Sequence, residues 1–265
     1  FQKTKANATR FDIITRENRK CSKKAVRTMR LEKMLSGMKY GSRKEIKAAL
    51  RAGRICVNGE VPRSEQVTID PLNDQVLFDE LPVQYKDNVV LMLYKPTGFV
   101  SSNREEGAPA VMELLEEPYS RLKLNIAGRL DKDAEGLLLL VQNGEMLHRI
   151  ISPAKGVTKR YLVTLAGPIG DITPLEKGVW IEDGKNERFL TKPARVEVVD
   201  PTQCVITITE GKYHQVKRMF LSIDNQVESL KRVAIGRLKL DPNLAPGQYR
   251  ELKIEEIQLI FEIDD

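Results

Sequence analysis

The chain has 265 residues, 41% of them hydrophobic and 30% charged, enough to bury one sizeable core and one small one. Three cysteines without CxxC spacing and two distant histidines, His148 and His214, exclude the ordinary zinc patterns, so no metal and no cofactor is expected, and the sparse cysteines fit a reducing compartment. No apolar run approaches the roughly 18 residues of a membrane span, and residues 1–28 lack the apolar centre of a secretory signal, so a cytoplasmic protein without membrane contact is expected. The net charge of +6 is unevenly placed. Residues 1–28 carry 9 basic and 2 acidic side chains, residues 29–54 carry 8 and 2, and the remainder is net −7. A basic end on a mildly acidic protein is the footprint of a phosphate-binding part attached to something else.

In chain order, residues 1–28 have no periodicity and read as a basic extension, either a flexible arm or an added segment, with Met29 a plausible start. Leu31, Met34, Leu35 and Met38 then keep helical spacing, and Ser42-Arg43-Lys44-Glu45 opens a second helix with a capping box, which Gly53 can end. Arg54–Val57 and Glu60–Val61 flank Asn58-Gly59, a strong hairpin signal. Arg43, Lys44, Lys47, Arg51 and Arg54 spread basic charge along the second helix, so residues 29–81 read as a small two-helix-plus-hairpin domain that meets phosphate. Pro82 and polar neighbours make 82–88 a linker.

The second domain, 89–265, opens with a strand at Val90–Tyr94 and a turn at Lys95-Pro96-Thr97-Gly98. Gly136 and the apolar run to Val141, bounded by Asn143-Gly144, read as a loop feeding a buried strand. Lys159–Leu165 alternates as a strand, and Arg195–Val199 pairs with Cys204–Thr209 around Asp200-Pro201-Thr202-Gln203. Helices are expected near 108–117, 144–151, 172–178 and 213–223. Strands outnumber helices without regular alternation, which predicts an α+β fold with a largely antiparallel mixed sheet.

The segment from Ala127 to Leu140 carries Asp131 beside a basic residue into a glycine-ended turn and a leucine run, so a charge is held beside a core. By themselves these residues also fit an ordinary ion pair capping a loop. Tyr161 fits a core aromatic, and Lys217-Arg218 a basic helix start on the surface. The words tip the balance. Gly128-Arg129-Leu130-Asp131 followed by Gly136-Leu137-Leu138 resembles the signature of pseudouridine synthases, whose aspartate is the nucleophile, with Ala134 where the family usually has Ser or Thr. Lys159–Leu165 is similar to the second family motif, whose tyrosine lies against the target uracil. Glu210–Met219 is similar to the third, where a basic residue pairs with the carboxylate. The resemblance implies that Asp131, Tyr161 and Lys217 are catalytic, Arg218 being second choice for the pairing role, and that Arg129 holds the space beside the target. Residues 29–81 resemble the S4-like RNA-binding domain shared with a ribosomal small-subunit protein, which makes Arg43, Lys44, Lys47 and Arg51 RNA contacts.

Such a reaction breaks the bond from uracil N1 to the ribose, turns the bound base and rejoins it through C5, with no redox change and no cofactor. Asp131 must be ionised, either to attack the sugar or to remove a sugar proton, and Tyr161 can stack on the uracil and help with the final C5 proton. The target must be extruded or single-stranded. His214, Lys217 and the segments Leu190–Ala194 and Leu244–Arg250 look most like the branch acting on small-subunit ribosomal RNA. The expected partner is that RNA within a small-subunit assembly intermediate, met by a monomer. Enzymes of large-subunit or transfer RNA remain the alternative, as does a non-catalytic RNA-binding assembly factor. A glycosidase would want two carboxylates flanking a bond, for which a single turn gives no reason.

Overall fold

The computed structural model describes residues 28–64, 66–104, 107–182 and 187–262, so all but the last residue of the basic extension lies outside them. The chain divides into two compact units between Tyr85 and Lys86.

In the first unit, strand β1 (Met29–Arg30) runs into helix α1 (Leu31–Gly37), which buries Leu31, Met34 and Leu35. Helix α2 (Arg43–Arg51) starts on the capping box read from the sequence: Ser42 Oγ accepts from Glu45 N, and Glu45 Oε2 accepts from Ser42 N at 2.7 Å. It buries Ile46, Ala49 and Leu50 and leaves Arg43, Lys44, Lys47 and Arg51 on the exposed face. Arg54 lies beyond the helix, donating to both oxygens of Asp79 at 2.6 and 2.5 Å, so its charge is not spread along α2 with the others. The Asn58-Gly59 turn forms with both residues at positive φ, but its hairpin closes only one bridge, Val57 to Glu60. Pro62 offers no N–H to extend it. Asn58 instead donates its backbone N–H to the Gln75 carbonyl and accepts from Gln75 N at its side chain, which brings β4 (Val76–Phe78) against β2 (Ile55–Val57). Strand β3 (Thr68–Ile69) pairs with β1, and β5 (Leu81–Pro82) adds to the edge of β4, where a proline is tolerated. Pro82, expected to open the linker, therefore ends a strand.

The second unit is built on a nine-stranded sheet: β6 (Val90–Lys95), β7 (Asn125–Ala127), β8 (Glu135–Val141), β9 (Lys159–Leu165), β12 (Arg195–Val198), β13 (Gln203–Ile208), β14 (Val227–Ile235), β15 (Leu238–Lys239) and β16 (Tyr249–Glu251). The main path runs β12-β13-β9-β14-β8-β6-β16, and every pair is antiparallel except β14 with β8. One face packs Tyr161, Val163, Cys204 and Ile206 against Val216, Met219 and Phe220 of helix α5 (Gln215–Leu221) and Leu175 of α4 (Thr173–Lys177). The other packs Met92, Leu137 and Leu139 against Ile150 of α3 (Gly144–Ile151) and the flank of α6 (Ile254–Leu259). A separate two-stranded ribbon joins β10 (Trp180–Glu182) to β11 (Arg188–Leu190). The helix expected near 108–117 is a single 3-10 turn, Val111–Leu114. Val100 and the Pro109–Val111 backbone bond to each other on its near side, and Pro118 follows on its far side.

The loop between β7 and β8 has few ladder partners of its own, and two buried cations grip it. Arg232 of β14 donates to the carbonyls of Leu137 at 2.7 Å, Gly128 at 2.8 Å and Arg129 at 3.5 Å. Lys95, at the end of β6, donates to Ala134 O at 2.6 Å, Pro96 O at 3.0 Å and Lys132 O at 3.4 Å. Gly98 N donates to Lys132 O, and Ser101 Oγ both accepts from Leu130 N and donates to Leu130 O. Gly136 makes the approach possible. It sits at φ +106 opposite Arg232 in the parallel pair, and a Cβ there would lie 2.3 Å from the Arg232 carbonyl oxygen.

Gly136→Ala is therefore expected to lose about 3–5 kcal/mol in urea unfolding, since neither the φ nor the backbone contact can relax cheaply; a loss below 1 kcal/mol would show that the β8–β14 pair can part. A second expectation concerns pH. Burial pushes the Lys95 ammonium down to about 8, against the opposing pull of Asp131 and Asp133. The unfolded lysine titrates near 10.4, so between these values the unfolded chain holds more protons and stability rises with pH. The stability advantage of the wild type over Lys95→Met should grow by about 2 kcal/mol from pH 8 to pH 10. Parallel stability curves would place the Lys95 charge in solvent.

Candidate active site

Asp131 stands in the gripped loop, its own carbonyl closing a tight turn by accepting from Ala134 N at 3.2 Å. Ala134 is fully buried in the apolar cluster with Leu130 and Tyr161, so a methyl fills that place and its carbonyl, not a side-chain hydroxyl, makes the tie to Lys95. Helix α5 reaches the loop from the other side. Its entry is fastened by a buried polar pair: Gln215 Nε2 donates to Glu210 Oε1 at 2.6 Å, Gln215 Oε1 accepts from Lys212 N, and Glu210 also accepts from Lys192 N. His214 precedes the helix at φ +49, in the left-handed region that histidine enters more readily than most residues.

This entry delivers two cationic or cation-capable groups to one carboxylate. His214 Nε2 lies 3.5 Å from Asp131 Oδ1, and Lys217 Nζ lies 3.5 Å from Asp131 Oδ2. Lys217 Nζ is also 2.6 Å from Asp133 Oδ1, a hydrogen bond that holds the Asp133 carboxyl below the usual range. The shorter contact is to Asp133, yet that side chain is 73% exposed against 26% for Asp131, so the enclosed carboxylate is Asp131. Arg218, the other cation of the pair, points elsewhere: Nη1 donates to the Glu182 carbonyl and the guanidinium lies 5.1 Å from the Tyr213 ring. Of the two, Lys217 is the one at Asp131.

Tyr161 reaches the loop through Arg232. The two are cross-strand partners, with the guanidinium 6.0 Å from the ring, while its Nη atoms hold the Gly128 and Arg129 carbonyls just before Asp131. The Arg129 side chain itself is exposed. Arg43, Lys44, Lys47 and Arg51 belong to the first unit and form a basic face there.

Arg232, Lys95, Ser101 and His214 did not emerge as site residues from the sequence. Arg232 leaves one trace: Leu230, Arg232 and Ala234 share the inward register of β14, so a charge occupies a core position. Lys95 opens the Lys95-Pro96-Thr97-Gly98 turn read from the sequence, but nothing local says that its amine points inward. Among the described residues, no three His, Cys, Asp or Glu side chains gather to hold a metal ion, and no helix is long and apolar enough to cross a membrane.

Known proteins carry the same combination. Residues 89–222 match the RNA pseudouridylate synthase family and residues 29–76 the S4 domain. An uncharacterised RNA pseudouridine synthase of Bacillus subtilis is 44% identical over 240 residues, covering 88% of this chain and 99% of that protein. The ribosomal small subunit pseudouridine synthase A of Escherichia coli is 44% identical over 232 residues, covering 86% and 98%. The crystal structure of a pseudouridylate synthase aligns with a TM-score of 0.62 at 36% identity, over 88% of this chain and 99% of that one. With an S4 domain ahead of it and an enclosed aspartate in its signature loop, the chain belongs to the RNA pseudouridylate synthase family and is an RNA pseudouridine synthase.

Proposed function

We propose that this enzyme isomerises one uridine of small-subunit ribosomal RNA, with Asp131 as the nucleophile. The observation that carries the role of Asp131 is its enclosure: it is the carboxylate flanked by both Lys217 and His214 on a loop gripped by buried Lys95 and Arg232. The likeness to a relative named for the small ribosomal subunit supports the substrate. An ionised Asp131 serves either attack on the sugar or removal of a sugar proton, and a cation at Lys217 favours the charged form. Tyr161 offers its ring to the uracil and takes part in the C5 proton transfer, while Arg129 fills the space of the extruded target. Residues 29–81 dock the RNA through Arg43, Lys44, Lys47 and Arg51, the linker that follows the strand ending at Pro82 joins them to the chemistry in 89–265, and the substrate is a small-subunit assembly intermediate met in the cytoplasm by a monomer.

Tritium release from C5-labelled uridine, compared in small- and large-subunit ribosomal RNA, tests chemistry and target together. Release from the large-subunit RNA alone would move the assignment to that branch, and no release from either would move the substrate to transfer RNA. On the releasing RNA, Asp131→Asn should lower the single-turnover rate by more than about a thousandfold with RNA affinity retained. Asp133→Asn should stay within about tenfold of wild type, because it removes only the exposed partner of Lys217, and Lys217→Met should lose about a hundredfold with Lys217→Arg recovering part. A dead Asp133→Asn beside an active Asp131→Asn would exchange their roles.

The docking role has its own signature. Replacing Arg43, Lys47 and Arg51 together by Gln should weaken RNA binding and lower the slope of log affinity against log salt by about 2, while the plateau rate at saturating RNA changes little. A collapsed plateau with an unchanged salt slope would make the small unit part of the catalytic site.

A further inference from the structure

Beside Asp131 lies a planar surface that the reaction itself does not use. Tyr213 and His214 are stacked, with ring centroids 3.8 Å apart and planes 20° from parallel, near the spacing of stacked bases. His214 is anchored at the carboxylate through its Nε2 contact to Asp131. Tyr213 is 55% exposed, and the Arg218 guanidinium lies 5.1 Å from its ring centroid. Arg218 is held in turn by the Glu182 carbonyl, and the backbone under the pair is fixed by the Gln215 side chain, which accepts from Lys212 N. The phenol ring is therefore held by His214 and Arg218, one residue along the chain from the histidine at Asp131.

An enzyme that takes a uridine out of its stack leaves the neighbouring bases with an open face, and exposed aromatic or guanidinium planes are what bind such bases. We propose that Tyr213 is the stacking subsite for the nucleobase next to the target uridine, with His214 as the spacer that sets this subsite at a fixed distance from Asp131. The inference rests on the reading of the site as an RNA-modifying centre. The ligand is a nucleobase of any identity, because stacking uses the π face common to all four. Tyr213 is thus a positioning residue: it holds the flanking nucleotide so that the extruded uridine is aimed at Asp131.

The test uses the full chain and the ribosomal RNA that releases tritium in the assay above, rebuilt by splinted ligation in three forms: intact, abasic on the 5′ side of the modified uridine, and abasic on its 3′ side. Tyr213→Ala should raise the half-saturating concentration on intact RNA by about 5- to 100-fold, the range expected for one lost base–aromatic stack. Tyr213→Phe and Tyr213→Trp should remain within about threefold of wild type, since they keep the ring. The decisive readout is the coupling: on one of the two abasic RNAs the difference between wild type and Tyr213→Ala should vanish, because the base that would be lost is already gone. Equal binding by Tyr213→Ala and wild type on intact RNA, or a deficit that persists undiminished on both abasic forms, overturns the proposal. Filter binding of the same RNAs gives the comparison independently of turnover. Binding that follows this pattern while Asp131→Asn keeps the wild-type rate on the same RNA would refute the role proposed for Asp131 and leave the stacking subsite standing.

Discussion

The structure depends on carbonyl oxygens finding donors in a loop that has too few of its own. Between β7 and β8 the backbone turns through Gly128 and Gly136, so most of its carbonyls lack a ladder partner. Arg232 and Lys95 provide the donors from within the core, where both side chains are almost wholly buried. Burying two cations is expensive unless each is met by acceptors, and here each is met by three carbonyl oxygens. The dependence is mutual. Without the cations the Gly128, Arg129 and Ala134 carbonyls lose these donors, and without the carbonyls the cations are stranded, so each holds the other in place.

That economy explains why the site is assembled from distant elements. Lys95 closes β6, Arg232 lies deep in β14, and His214 and Lys217 come with α5, while the carboxylate lies on a short loop between β7 and β8. Rigid strands set the loop from beneath and a helix sets it from the side. A site held in this way can leave the Asp131 carboxylate partly open without letting it wander, as the role proposed for it requires.

Much of this was legible from local pattern, and the failures have a common cause. Leu137–Val141 and Lys159–Leu165 read as strands because their burial follows sequence spacing, and Ser42 to Glu45 read as a helix start because a cap is a local contact. The Asn58-Gly59 turn was legible as a turn but not in its partner, since the choice between Glu60–Val61 and Val76–Phe78 is made by hydrogen bonds to Gln75, 17 residues away. The stretch near 108–117 has helical composition, yet its pairing with Val100 reduces it to one 3-10 turn. Asp131, Tyr161 and Lys217 were found through their resemblance to family motifs, not through geometry. Arg232 escaped because a lone arginine in a strand looks the same in sequence whether it faces water or three carbonyl groups.

The bonds from Arg232 to Leu137 and Gly128 span 95 and 104 residues of sequence. A chain released before β14 has formed possesses every residue of the signature loop and its ties to Lys95 and Ser101, but lacks the hold of Arg232. Closing loops of that length costs chain entropy that must be met by the sheet as it zips together, so the loop is ordered late in folding. During synthesis Asp131 therefore emerges long before it is fully confined, and the nascent protein carries that carboxylate in a partly held loop until most of the second unit has left the ribosome.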